Sequence, residues 1–100
     1  MKSGYKILWT DHALSELQKI IEYLEDNWTE KELKIFARTL DHTVELISKN
    51  PDLFQTSKEK TNVRRAVILA HNSLYYRTKE NTVEILSLFD TRQNPKKKKI

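Results

Sequence analysis

Two apolar stripes at helical spacing, set almost end to end, constrain this chain more than any other feature. Ala13, Leu14, Leu17, Ile20, Ile21, Leu24 and Trp28 recur at steps of three and four, which places them on one side of a helix. Glu16, Gln18, Lys19, Glu22 and Glu25 fall on its other side. Thr10 or Asp11 caps this helix, which runs from about residue 12 to about residue 27. Leu33, Phe36, Ala37, Leu40, Val44 and Ile47 repeat the pattern. Thr29 opens the second helix, with Glu32 at the spacing of a capping box. Asn50-Pro51 closes it, since Asn tolerates a left-handed cap and Pro cannot continue a helix. So short a connection implies an antiparallel hairpin. Such a hairpin is apolar on one side and needs a second layer to cover it.

The rest of the chain supplies that layer. Tyr5–Trp9 alternates as a short strand, with Tyr5, Ile7 and Trp9 on one face. The segment from Pro51 to Asn62 is polar and reads as a mobile loop. Three strands follow, over Val63–Leu69, Leu74–Thr78 and Thr82–Phe89. His71-Asn72 makes the first turn between them. Lys79-Glu80-Asn81 makes the second, with Asn81 suited to positive φ. The unbroken pair Ile85-Leu86 implies burial on both faces or a bulge. The order is β-α-α-β-β-β: an α+β fold, with the helical hairpin packed on one face of a small antiparallel sheet. Its 100 residues hold one core, so 1–95 form a single domain and 96–100 a basic tail.

Composition removes several classes of function. There is no Cys, hence no disulfide scaffold, thiol nucleophile or thiolate metal site. His12, His42 and His71 lie in three different elements with no ligand spacing, so no metal or other cofactor is expected. The only Gly is Gly4, which leaves no phosphate loop and no nucleophile elbow. No apolar run approaches the roughly 20 residues of a membrane span. The N-terminus does not read as a signal peptide, and a cytoplasmic location with no membrane partner is expected.

Charge is unevenly spread. Residues 1–63 carry nine Lys/Arg against eleven Asp/Glu, while residues 64–100 carry nine against three. The second part is the side expected to meet an anion or an acidic partner. Arg64, Arg65, His71, Tyr75, Tyr76, Arg77 and Arg92 gather there. Metal-free RNA cleavage needs such a set: a base for the 2′-OH, a cation for the phosphate and an acid for the leaving oxygen. The same residues also read as ordinary strand charges with Tyr75 or Tyr76 in the core. Two acidic-faced helices and the lack of a helix-turn-helix argue against direct reading of DNA. A general RNA-binding domain would need more stacked aromatics than Tyr75 and Tyr76.

Taken together, "WTDHALSELQKIIEYL", "LISKNPDLF" and "VRRAVILAHNSLYYRTKENTVEILSLFDTRQNP" resemble the RelE/ParE superfamily of type II toxins over nearly the whole chain. The resemblance implies a toxin neutralised by a cognate antitoxin. That antitoxin would be small, acidic and encoded adjacently, and would form a hetero-oligomer with the toxin. The RelE branch cleaves mRNA on the ribosome; the ParE branch inhibits DNA gyrase and is not a nuclease. Arg92 matches the family's Arg after the last strand. Val67 stands where ribonuclease members carry a second-strand Arg, with Arg64 and Arg65 nearby. Lys58 and Lys60 match the basic loop positions only loosely, and no Tyr follows Arg92. The Arg64-Arg65 pair and the Arg92-x-x-Pro95 ending turn the resemblance toward ParE, with plasmid stabilization by gyrase inhibition as the implied role. Target contacts would be Arg64, Arg65, Tyr75, Arg77 and Arg92. Under the ribonuclease alternative the catalytic set would be Arg92, Arg65 and His71. A degenerate binding module of the same fold, without toxicity, is a further alternative.

Overall fold

The computed structural model describes residues 4–27, 29–56, 62–69 and 72–90. The elements run β1 (Lys6–Trp9), α1 (Asp11–Asn27), α2 (Glu30–Lys49), a 3-10 turn (Pro51–Leu53), β2 (Arg64–Leu69), β3 (Asn72–Lys79) and β4 (Thr82–Asp90). They form one four-stranded sheet in the order β1-β4-β3-β2, with both helices on one face. No described helix is long and apolar enough to cross a membrane.

Local chemistry sets the helix ends. Thr10 caps α1: its Oγ1 accepts the Ala13 amide at 3.2 Å and donates to the Ile85 carbonyl at 2.8 Å, so one hydroxyl starts the helix and ties it to β4. Thr29 caps α2 by accepting the Glu32 amide at 3.2 Å. Asn50 closes α2 at φ −149°, ψ 84°, outside the left-handed region expected for it. The following Pro51 explains this, because a proline pushes the residue before it toward extended backbone. The second helix is also not acidic-faced as read from sequence. Its exposed surface carries Lys31, Lys34, Arg38 and Lys49 as well as Glu30, Asp41 and Glu45.

The sheet is mixed where an antiparallel one was expected. β2, β3 and β4 form the antiparallel meander, but β1 runs parallel to β4, with Lys6 opposite Thr82 and Trp9 opposite Ile85. A parallel neighbour needs a long crossover, and the helical hairpin provides it. The β3–β4 loop is the two residues Glu80-Asn81, and it is Glu80, not Asn81, that takes positive φ (58°). Asn81 instead presents its carbonyl to the Lys6 amide at 3.0 Å, the first link between β4 and β1.

The main core lies between helices and sheet: Ala13, Ile20 and Leu24 of α1, Phe36, Leu40 and Ile47 of α2, and Ala66, Ile68, Leu74, Tyr76, Val83, Ile85 and Leu88 of the sheet. Tyr5, Ile7 and Trp9 pack against it from one face of β1, as their alternation implies. A smaller cluster of Val63, Tyr75 and Phe89, with Leu86 against it, sits apart. A bulge creates it. Tyr75 pairs with Ser87 and Tyr76 with Ile85, so Leu86 is the extra residue, and the strand's alternation changes phase there.

Where β1 ends, Glu16 takes over its bonding role. Its Oε1 accepts the Leu88 amide and the Ser87 hydroxyl, each at 2.8 Å, and His12 Nε2 lies 3.3 Å away. A carboxylate on α1 thus satisfies the β4 edge that a longer β1 would have paired.

Candidate target-contact surface

Strand alternation divides the basic residues between two sides of the sheet. Ala66, Leu74 and Tyr76 face the main core, so Arg65, Val67, Ser73, Tyr75 and Arg77 belong to the opposite, outer face. Arg65 is opposite Tyr75, and Arg77 is two residues further along β3, so the two arginines are diagonal neighbours on that face. Leu8 and Val67, about half exposed at 49% and 53%, lie toward its two edges.

Arg64 goes the other way. Its Nη1 donates to the Phe54 carbonyl at 2.6 Å and its Nη2 lies 3.3 Å from Asp52 Oδ1. Beneath it the Tyr76 hydroxyl donates to the Pro51 carbonyl at 2.6 Å, and the Phe54 ring meets Tyr76 edge-on at 6.5 Å. Burial pushes the Tyr76 hydroxyl up to about 12, outweighing the nearby Arg64 charge, which acts in the opposite direction. Thr56 bridges to Arg64, and the Arg65 amide donates to the Gln55 carbonyl at 2.9 Å. Residues 51–56 are therefore fastened to the sheet, where sequence alone suggested a mobile loop; residues 57–61 lie outside the described set.

Arg77 is held as well. Its Nε donates to Glu84 Oε1 at 2.6 Å across the β3–β4 pair, which offsets its charge. Arg65 differs from both. Its Nε donates to the neutral Ser73 hydroxyl at 3.1 Å, and among the described residues no carboxylate lies within ion-pair distance of it. The bond to Ser73 fixes one edge of the guanidinium; its two terminal nitrogens have no hydrogen-bond partner among the described residues, and their geometry suits a two-pronged contact with a carboxylate or phosphate.

Of the residues expected from sequence, then, Arg65 and Arg77 share the outer face, and Arg64 is turned to the 3-10 turn. Tyr75 is 1% exposed, packed with Val63 and Phe89, which corrects its reading as a contact residue. His71, Arg92 and the tail Lys96–Lys99 lie outside the described residues. Sequence reasoning missed Ser73, which orients Arg65, and Glu84, which occupies Arg77. Both lie on neighbouring strands, and only the register reveals them. Among the described residues no group of three or more His, Cys, Asp or Glu could hold a metal ion.

Residues 7–95 match the family model described as the ParE toxin of the type II toxin-antitoxin system, parDE. No curated protein matches the sequence significantly. Among solved structures, the chromosomal ParDE toxin-antitoxin system from P. aeruginosa aligns with a TM-score of 0.73 at 15% identity, covering 89% of this chain and 98% of that one. The YoeB/ParE toxin from Agrobacterium tumefaciens aligns with a TM-score of 0.63 at 12% identity, covering 85% and 96%. The YoeB-YefM complex from Staphylococcus aureus gives 0.59 at 15% identity, covering 85% and 94%. These likenesses establish the shared fold.

Proposed function

The chain belongs to the ParE toxin family of type II toxin–antitoxin systems, and from that premise we propose that it acts by inhibiting DNA gyrase and is neutralised by a cognate antitoxin. The family match over residues 7–95 carries the reading. The outer sheet face supports it. A gyrase inhibitor needs a surface that recognises a protein or protein–DNA target, with no acid–base pair. Arg65, held by Ser73 and free of carboxylates among the described residues, suits such a contact. Arg77 borders it, and Arg92 is included in the contact set on the family resemblance alone.

Ribosome-dependent RNA cleavage is less well supported. It would need cations poised at the scissile phosphate. Arg64 is instead committed to Phe54 and Asp52, and Val67 occupies the second-strand position where the nuclease branch carries Arg. In the proposed reading the protein is not an enzyme, requires no cofactor and works in the cytoplasm, where gyrase acts. The antitoxin is a small acidic protein encoded beside it.

The test is supercoiling of relaxed plasmid by purified gyrase, with the protein added alone or with its antitoxin. Inhibition that the antitoxin relieves and that Arg65→Ala weakens at least tenfold is expected. An unaffected gyrase, together with cleavage of ribosome-bound mRNA, would replace this reading with the nuclease one.

A further inference from the structure

Lysines extend the basic surface of the outer sheet face beyond its arginines. Lys6 of β1 and Lys79 of β3 both stand opposite Thr82 of β4, so one row across the sheet reads Lys6, Thr82, Lys79. Ile7 and Tyr76 belong to the main core, and alternation therefore puts Lys6 and Lys79 on the outer face with Arg77 and Arg65. Lys79 is one same-face step of about 7 Å from Arg77, and about 10 Å from Lys6 across the intervening strand. Arg77 and Arg65 are diagonal neighbours, about 7–8 Å apart. The cations thus form a track from the β2 edge to the β1 edge.

Lys6, Lys79 and Arg65 are exposed, and among the described residues no carboxylate lies within ion-pair distance of any of them. Glu84, inside the track, is held by Arg77 at 2.6 Å, and Glu80 lies in the turn beyond the paired residues. Three features select an occupant. The cations recur at intervals instead of converging on one point, which suits a polymer with a negative charge on every unit. Leu8 and Val67, the exposed apolar residues of this face, sit on opposite edge strands about 14 Å apart, so they give a peptide no common anchor. Tyr75 and Phe89 are 1% and 8% exposed, so neither ring is open to stack on an unpaired base. A nucleic-acid duplex, held by its backbone, meets all three conditions.

We propose that the outer face binds the phosphate backbone of duplex DNA along Arg65, Arg77, Lys79 and Lys6, and that Glu84 restrains this binding by occupying Arg77. Thr82 offers its hydroxyl to a phosphate between the two lysines. The choice of DNA rests on the gyrase reading, because gyrase acts on DNA; the chemistry of the track comes from the structure. Backbone contacts fix position without reading sequence, so the protein can engage whatever DNA segment gyrase holds. A phosphate must displace Glu84 before it gains Arg77. That requirement keeps affinity for free DNA low and favours a target that presents protein and DNA together.

The experiment measures binding of the full-length protein to a short DNA duplex by fluorescence anisotropy over a series of salt concentrations, starting low. The single strand and the RNA duplex of the same sequence serve as comparisons, and thermal unfolding checks that each variant remains folded. Lys6→Glu and Lys79→Glu are expected to weaken duplex binding at least fivefold. Lys34→Glu makes the same charge change on the exposed surface of α2 and is expected to alter affinity less than twofold. Glu84→Gln should tighten binding at least threefold and steepen the salt dependence by about one phosphate contact, since Arg77 is released. No duplex binding by wild type, equal losses at Lys34 and Lys79, or tighter binding of the single strand or the RNA duplex would overturn the track. Unchanged affinity in Glu84→Gln would overturn the restraint assigned to Glu84. Gyrase supercoiling is read separately. DNA binding without gyrase inhibition would keep the track and overturn the gyrase reading, whereas inhibition by a protein that binds no duplex would do the reverse.

Discussion

Arg64 and Arg65 are neighbours in sequence, yet they do opposite work. Arg64 turns toward the core side and ties the 3-10 turn to β2 through Phe54 and Asp52. Arg65 turns to the outer face and is held by a neutral hydroxyl. Alternation along a strand guarantees that two adjacent residues part in this way. The same division runs through the whole sheet. One face is closed by two helices over a large apolar core, and the other carries a small aromatic cluster beside unequal arginines. Stability should follow the first face and target contact the second.

The strongest challenge to that division compares Leu74 with Val67. Leu74 is fully buried on the helical face, whereas Val67 is 53% exposed on the other. Leu74→Ala should cost about 2–5 kcal/mol in urea unfolding, and Val67→Ala less than about 0.5 kcal/mol. Similar costs for the two would mean that the outer face is packed rather than open.

The adjacent arginines sharpen the comparison. Arg64→Ala removes a charge-assisted bond to a carbonyl and should cost about 1.5–3 kcal/mol. Arg65→Ala should leave stability within about 0.5 kcal/mol while weakening gyrase inhibition. Loss of stability at Arg65 with intact inhibition would reverse the roles assigned to the two residues.

Tyr76 adds a pH signature to the helical face. Its hydroxyl is pushed up to about 12 in the folded protein, against 10.0 for an unperturbed tyrosine. Between those values the unfolded chain loses this proton and the folded one keeps it. The stabilisation is therefore complete below pH 10 and is lost as pH rises through about 12. Tyr76→Phe removes the bond to Pro51, should cost about 1 kcal/mol at neutral pH, and should show a shallower alkaline decline than wild type in unfolding titrations. Parallel curves for the two proteins would remove Tyr76 as the source.

The smallest expected effect concerns the hairpin. Glu80 holds φ at 58°, a conformation that costs a side-chain-bearing residue about 1–2 kcal/mol relative to Gly. Glu80→Gly should raise stability by about 0.5 kcal/mol after the added entropy of the unfolded chain is counted. A fall in the melting midpoint would show that Glu80 makes a compensating contact.

The sequence by itself determined the elements and their order. Apolar residues at steps of three and four placed α1 and α2, Thr29 marked the start of the second, and alternation set Ile7 and Trp9 on one shared face. These signals act over a few residues, within reach of one helical turn or one strand pleat, so they survive without knowledge of the fold. Even the bulge was foreshadowed by the Ile85-Leu86 run. Of the candidate surface, the sequence supplied Arg64, Arg65 and Arg77 as equals. The tertiary structure ranked them, because a guanidinium's availability depends on what stands across the sheet: Ser73 for one, Glu84 for another, the Phe54 carbonyl for the third. It also buried Tyr75 and laid β1 parallel to β4, bringing Lys6–Trp9 against Thr82–Ile85 from the far end of the chain. Alternation tells which residues share a face, but pairing over such a separation is decided by how the helices cross the sheet, and no local pattern encodes that.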